Sequence, residues 1–176
     1  MTVVSLESST RPVPLACGHC AAVHEPFQSA VCPECLGPLE PVYRAGRRLP
    51  SREEIASRPP SMWRYREWLP FEGDPVHSLD TGFTPLVEAP RLAVLLGVAR
   101  VWIKNDTVCH PSLSFKDRVV ASAINAAAGL GLETIACAST GNLAIAVAAH
   151  AARAGLPAWV LVPEDLESPL RRGAGH

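Results

Sequence analysis

The chain has 176 residues, with 16 lysine and arginine residues against 17 aspartate and glutamate residues and a net charge of -1. This balance argues against a nucleic-acid partner, because binding to a phosphate backbone requires an excess of basic charge. Hydrophobic residues make up 48% of the sequence, but the longest apolar stretch is too short to span a membrane and no targeting segment is found, so we expect a cytoplasmic protein.

Two CxxC pairs mark the first predicted module, residues 1–43. They are separated by eleven residues, and their cysteines are Cys17, Cys20, Cys32 and Cys35. Four thiolates at this spacing are typical of a tetrahedral zinc ribbon. Iron bound as in rubredoxins, disulfides and reduced core cysteines are the alternatives; the lack of a secretory signal argues against disulfides, and the paired spacing argues against ordinary core cysteines. So short a module would draw much of its folding free energy from the metal.

Residues 44–80 are predicted to be a connector in which arginines are interleaved with aromatic side chains. These residues are Arg47, Arg48, Arg52, Arg58, Arg64, Arg66, Trp63, Tyr65 and Trp68. Such a pattern could bind single-stranded nucleic acid. We favour a structural role, in which Ser51 caps a short helix, Pro59 and Pro60 end it, and the aromatic residues dock against the main domain.

Residues 81–176 alternate between strand and helix patterns, which predicts an α/β domain with a parallel sheet. Residues 101–105 are predicted to form a buried strand. Ser114 and Asp117 have the spacing of a capping box, so Lys116 should lie in the first turn of a helix that ends near residue 130.

A return strand is predicted at residues 134–138. At about 3.3 Å per residue it covers most of the helix length of roughly 20 Å, so the turn at residues 139–142 (STGN) should lie beside Lys116. Ligands usually bind at this edge of an open α/β sheet. The free amides, hydroxyl groups and carboxamide of the turn make it a candidate anion site, and a helix at 143–153 and a strand at 158–162 are expected to follow.

A lysine that faces an anion-binding turn suits pyridoxal phosphate chemistry on an amino acid. The lysine amine must be neutral to attack an aldehyde. Arg118 and the positive end of the helix are candidates for favouring the neutral form.

The chain resembles the threonine synthases, which are fold-type-II pyridoxal phosphate enzymes. The similar segments are residues 81–86 (TGFTPL), 91–93 (RLA), 101–106 (VWIKND), 110–112 (HPS), 114–118 (SFKDR), 137–142 (CASTGN) and 149–163. The resemblance implies that Lys116 binds pyridoxal 5'-phosphate covalently and serves as the catalytic base. It implies cofactor contacts from Phe115 and Asn142. It also implies that Ser139 and Thr140 hold the substrate carboxylate.

The same resemblance implies a carbon–oxygen lyase of threonine biosynthesis, which converts O-phospho-L-homoserine and water into L-threonine and phosphate. The expected partner is a small amino-acid substrate, and the full-length enzyme could be a homodimer. Some threonine synthases carry an N-terminal zinc ribbon. The alternatives are a related lyase, such as threonine dehydratase or cysteate synthase, and a non-catalytic zinc-ribbon protein with a vestigial cofactor domain.

Two departures from the family pattern and the length of the chain bear on this interpretation. The family often has NPT where this chain has residues 110–112 (HPS), and often has threonine where this chain has Leu143. A complete fold-type-II enzyme has two α/β domains, and the end of the chain from residue 168 has no apolar period, so we expect an incomplete catalytic domain. The 176 residues alone are expected to bind the cofactor weakly or not at all.

Three further side chains are expected to be inert. Cys109 and Cys137 are interpreted as small buried residues. His150 is expected to be partly exposed on an alanine-rich helix.

Overall fold

A computed structural model describes residues 10–26, 29–43 and 48–165 of the chain. Its strands are β1 (Arg11–Pro12), β2 (Leu15–Cys17), β3 (Val23–His24), β4 (Leu39–Pro41), β5 (Phe71–Glu72), β6 (Leu86–Glu88), β7 (Trp102–Lys104), β8 (Ile135–Ala138) and β9 (Ala158–Leu161). Its α-helices are α1 (Arg52–Ser57), α2 (Pro90–Leu96), α3 (Lys116–Gly129) and α4 (Asn142–Ala154). The end of the chain from residue 168, which was singled out in the sequence, lies outside the described residues.

The C-terminal part is a parallel βαβ unit packed against α3. Strands β8 and β9 pair in parallel, with Ile135 opposite Ala158, and α4 connects them. The core between α3 and α4 consists of Val120, Ile124, Ala146, Val147 and Ala151. The predicted parallel α/β arrangement is therefore confirmed in this unit. Among the described helices, none has the length and apolar character needed to cross a bilayer.

The expectation of a buried strand at residues 101–105 is wrong. Strand β7 pairs antiparallel with β6, with Ile103 opposite Val87, and the side chains of β7 are exposed. In the described part of the chain, β7 has no pairing with β8. A short apolar run predicts a strand, but it does not show which elements pack against that strand. The sequence therefore predicted the strand correctly and its burial wrongly.

Helix α3 begins at Lys116 as predicted, but its first turn is not a capping box. The Ser114 hydroxyl accepts a hydrogen bond from the Lys116 N–H at 3.2 Å. The Asp117 carboxylate instead accepts hydrogen bonds from Ser112, from the backbone N–H at 3.0 Å and the hydroxyl at 2.8 Å. The carboxylate therefore holds the preceding loop. Gly129 ends the helix, close to the predicted position.

The N-terminal module is a small antiparallel sheet in the order β3–β2–β4. Strand β2 lies in the centre, with Leu15 opposite both His24 and Pro41. It carries Cys17 at its end, so the sheet fixes the position of the first cysteine pair.

The connector begins with the predicted short helix. The Ser51 hydroxyl accepts from the Glu54 N–H, and the Glu54 carboxylate accepts from the Ser51 N–H, so α1 has a capping box. Arg58 forms two hydrogen bonds of 2.6 and 2.7 Å with the Glu67 carboxylate. Trp63 lies 6.0 Å from the Phe71 ring. The capped helix is as predicted. These contacts join residues of the connector to one another, so the docking of its aromatic residues against the main domain stays a prediction.

The connector and β1 are both fastened to α3. The fully buried Asn125 side chain accepts hydrogen bonds from the N–H groups of Val76 and His77 at 2.7 and 3.0 Å, and donates to the His77 carbonyl at 2.8 Å. At Gly129 a Cβ atom would overlap the carbonyl oxygen of Thr10. The helix that begins at Lys116 therefore also holds the N-terminal part of the chain.

Candidate functional site

A cleft of about 280 Å³ opens between the loop that precedes α3 and the start of α4. Its lining residues are Asp106, Thr107, Leu113, Ser114, Phe115 and Asn142. Small-molecule sites range from roughly 300 to 1,000 Å³, so the cleft is at the lower end of that range. The structure thus brings Phe115 and Asn142, two residues predicted to contact the cofactor, to one cleft.

Lys116 lies next to this cleft, at the first position of α3. Its side chain is half-buried, and its Nζ lies 4.9 Å from the centroid of the Phe115 ring. The N–H groups in the first turn of a helix have no partner inside the helix, and they carry a partial positive charge. The Lys116 amine therefore lies at the positive end of α3, beside the cleft that Asn142 lines.

The predicted anion-binding turn joins β8 to α4. The Ser139 N–H donates to the Leu161 carbonyl at 3.2 Å, which extends the β8–β9 ladder into the turn. The Gly141 N–H donates to the Ser139 hydroxyl at 3.3 Å. A Cβ at Gly141 would meet no atom within 4 Å, so there is open space beside the backbone. Ser139 and Thr140 are not among the lining residues of the cleft, and their contacts with a substrate carboxylate remain predictions.

A network of three side chains, which the sequence analysis missed, forms one wall beside the cleft. The Arg118 guanidinium makes two hydrogen bonds to the Asp106 carboxylate, at 2.7 and 2.8 Å. The Thr84 hydroxyl donates to the same carboxylate at 2.5 Å. The hydrogen bonds from Arg118, together with that from Thr84, lower the pKa of Asp106 to about 2. This network connects the TGFTPL, VWIKND and SFKDR segments.

The pairing of Arg118 changes one expectation about the lysine. A guanidinium that forms a bidentate pair with a carboxylate has most of its charge compensated. The charge of Arg118 is therefore engaged by Asp106 rather than free to act on the Lys116 amine. The signal in the sequence was the aspartate that follows shortly after β7.

The expectation that His150 is partly exposed is wrong. Its side chain is 3% exposed, and its Nε2 lies 3.4 Å from Asp117 Oδ1. An alanine-rich helix can be buried on more than one face, and here α4 packs between its own sheet and α3. Cys109 is fully buried as expected, whereas Cys137 is half-buried.

A second candidate site lies in the N-terminal module, where the four predicted cysteines converge. The sulfur atoms of Cys17, Cys20, Cys32 and Cys35 all lie within 4.8 Å of one another. The Cys17–Cys35 and Cys20–Cys32 sulfur distances are 3.5 and 3.8 Å. Tetrahedral zinc with Zn–S bonds of about 2.3 Å requires sulfur atoms about 3.8 Å apart. The four thiols therefore fit a single tetrahedral metal ion.

The backbone around each cysteine pair is folded in the same way. The Ala21 N–H donates to the Cys17 carbonyl at 3.0 Å, and the Leu36 N–H donates to the Cys32 carbonyl at 2.9 Å. The N–H groups of Cys20 and His19 donate to the Cys17 sulfur and lower the pKa of that thiol to about 6. Thiolates are the form that binds metal ions, so the backbone prepares Cys17 to be a ligand.

Gly37 is a further residue of this centre that the cysteine spacing did not reveal. A Cβ atom there would lie 2.7 Å from the His19 Cβ, 2.9 Å from the Cys17 sulfur and 3.3 Å from the Cys35 sulfur. Only glycine leaves room for the sulfur atoms in their present positions. Its position shortly after the second cysteine pair was the available signal.

The sequence of the C-terminal part matches a known class of enzymes. Residues 77–173 match the family described as pyridoxal-phosphate dependent enzyme, and the chain belongs to this family. The βαβ unit, the lysine that begins α3 and the turn that begins α4 all lie within the matched residues.

The similar proteins within this family are threonine synthases. That of Methanosarcina acetivorans is 36% identical over 150 residues, which are 85% of this chain and 36% of the relative. That of Methanocaldococcus jannaschii is 35% identical over 151 residues, or 84% of this chain and 37% of the relative. That of Synechocystis sp. is 45% identical over 102 residues, or 57% of this chain and 26% of the relative. The matched residues thus cover between about a quarter and little more than a third of the length of these relatives.

Proposed function

We propose that this chain carries the cofactor lysine and the carboxylate-binding turn of a threonine synthase, which converts O-phospho-L-homoserine and water into L-threonine and phosphate. The observation that carries the proposal is the cleft shared by Phe115 and Asn142, next to Lys116. The similarity of the chain to threonine synthases supports the choice of substrate.

Each of the predicted residues has a defined task in this proposal. Pyridoxal 5'-phosphate supplies an electron sink for carbanions formed next to an amino group. Lys116 holds the cofactor and, as a general base, moves protons between Cα and Cβ of the substrate. Asn142 and Phe115 contact the cofactor ring. Ser139 and Thr140 orient the substrate carboxylate, so that the Cα–H bond keeps its alignment with the ring.

The unusual lysine content of the chain allows a direct test. Lys104 and Lys116 are its only lysines, and the Lys104 amine already donates a hydrogen bond to the Thr84 carbonyl. In the longest polypeptide that contains this sequence, we expect incubation with pyridoxal 5'-phosphate, followed by borohydride reduction and peptide mass spectrometry, to label Lys116. Lys116→Arg should remove this label, and Lys104→Arg is the matched control that should retain it.

Turnover is tested in the longest polypeptide that contains this sequence. Phosphate release from O-phospho-L-homoserine should require Lys116, and Lys116→Ala should abolish it because no other described amine lies beside the cleft. If the Lys116→Ala variant is as active as the unaltered polypeptide, the assignment of Lys116 as the cofactor lysine is refuted. Formation of 2-oxobutyrate and ammonia from threonine, with no phosphate release from phosphohomoserine, would favour a dehydratase instead.

We also propose that the four cysteines bind a structural zinc ion. The convergence of four sulfur atoms within 4.8 Å supports a metal site. A site with four protein ligands has no open position for a substrate, so its role would be to stabilise the fold. Metal analysis of the purified chain should find one zinc per chain; one iron with a visible charge-transfer spectrum would instead indicate a rubredoxin-like centre.

A further inference from the structure

Asp117 and His150 form a buried pair that connects the two helices of the site. Asp117 is 0% exposed and His150 is 3% exposed. Asp117 Oδ1 and His150 Nε2 are 3.4 Å apart, and neither atom has a hydrogen bond to any other described residue. A buried carboxylate oxygen without a donor is unfavourable, so Asp117 Oδ1 and His150 Nε2 are each the nearest available partner of the other.

The second oxygen of Asp117 extends this connection to the loop before α3. Asp117 Oδ2 accepts hydrogen bonds from the Ser112 N–H and hydroxyl at 3.0 and 2.8 Å. The Asp117 carboxylate of α3 thus contacts both the preceding loop and helix α4.

The positions of these residues relate the pair to the candidate site. Asp117 directly follows Lys116 in α3. His150 lies about two turns after Asn142, the residue with which α4 begins. The pair therefore fixes the rotation and the height of α4 relative to α3, and with them the distance between Asn142 and the lysine.

The protonation state of the ring is set by its surroundings. Burial lowers the pKa of His150, although the facing Asp117 carboxylate opposes this shift and His110 adds to it. A neutral imidazole with its proton on Nε2 would place that N–H 3.4 Å from Asp117 Oδ1 as its nearest acceptor partner. The opposite tautomer would place two acceptors against each other.

We propose that His150 is a positioning residue, which acts through Asp117 and Ser112 to hold the Asn142 turn in register with Lys116. This inference rests on the proposed function, because it concerns the alignment of the cofactor lysine with the turn. It assigns a role in the reaction to a residue outside the SFKDR and STGN segments.

The first measurement is the tautomer of His150 in the unaltered chain, by ¹⁵N NMR of the imidazole. We expect the Nε2–H form at neutral pH. The Nδ1–H form would overturn the proposal, whatever the behaviour of any variant.

The second measurement compares two variants of similar size. His150→Gln keeps an N–H donor near the position of Nε2, whereas His150→Leu removes it. We expect His150→Leu to accelerate hydrogen exchange of the Ser112 amide and to slow cofactor labelling of Lys116 by about tenfold or more, since a hydrogen bond to a charged group is lost. His150→Gln should restore both to near the original values. The Ala127 amide in the core of α3 serves as the reference for general destabilisation.

The outcomes separate this inference from the proposed function. Labelling of Lys116 at the same rate in both variants would overturn the positioning role while the lysine assignment stands. If Lys116 is never labelled in the unaltered longest polypeptide that contains this sequence, the proposed function is overturned, and the positioning role with it, even where exchange at Ser112 responds to His150.

Discussion

At the scale of single residues, Gly37 makes a sharp prediction for the metal centre. Gly37→Ala should weaken zinc affinity by about 10- to 100-fold, because overpacking a well-filled site costs about 1–3 kcal/mol. The added methyl group would push on the Cys17 and Cys35 sulfur atoms, 2.9 and 3.3 Å away. Competition with a coloured chelator measures the affinity.

Gly18→Ala is the matched control for this substitution. Gly18 lies inside the first cysteine pair, but a Cβ there would meet only Pro38, at an ordinary distance of 3.9 Å. Its zinc affinity should stay within about threefold of the original. Equal affinities for the two alanine variants would show that the sulfur atoms are not held where the structure has them.

The sequence located single residues well where a motif was local, and poorly where a partner was distant. Lys116 begins α3 and Asn142 begins α4, because helix limits depend largely on neighbouring residues, although the predicted capping box of α3 did not form. The partners of Arg118 and His150 come from other elements, and no local pattern indicates them. This is why the burial of His150 and the pairing of Arg118 with Asp106 were not predicted.

At the scale of elements, Asn125 predicts how strongly α3 holds the connector. Asn125→Ala should lower the free energy of unfolding by about 2–3 kcal/mol, because it removes the buried partners of the Val76 and His77 amides. Urea denaturation, monitored by tryptophan fluorescence, measures this change.

The control for Asn125 lies one turn away on the same helix. Ser122 is only half-buried, and Ser122→Ala should change stability by less than about 0.5 kcal/mol. If Asn125→Ala lowers the free energy of unfolding by no more than Ser122→Ala does, the connector is held by other contacts.

Helices and strands with a strong apolar period were predicted with nearly correct limits. The pairing of strand β7 was not predicted. Helices α3 and α4 and strands β8 and β9 lie within a few residues of the predicted ranges. Strand β7 was predicted as an element, but its antiparallel pairing with β6 was missed. A period reports which face of an element is apolar, whereas pairing depends on the rest of the chain.

At the scale of the whole molecule, the two sites should differ in their dependence on metal. Removal of the proposed zinc ion with a strong chelator should abolish hydrogen-exchange protection in the β3–β2–β4 sheet, because so small a module would draw much of its folding free energy from the ion. Protection in α3 and α4 should persist, because their core of Val120, Ile124 and Val147 contains no metal ligand. Exchange monitored by mass spectrometry distinguishes the two regions.

Loss of protection in α4 at the same chelator concentration would contradict this expectation. It would mean that the N-terminal module and the βαβ unit unfold together. A chain with all four cysteines changed to serine provides the comparison, and it should resemble the chelated protein.

The close approach of Thr10 to α3 has a consequence for evolution. At Gly129 even one added carbon would collide with the backbone of Thr10, so selection should keep glycine there for as long as the N-terminal strand lies across the helix. Lineages that lost this strand would be released from the constraint, and alanine, the best helix former, should then accumulate at the position. The residue at position 129 in a related protein would thus indicate whether its lineage kept the N-terminal strand.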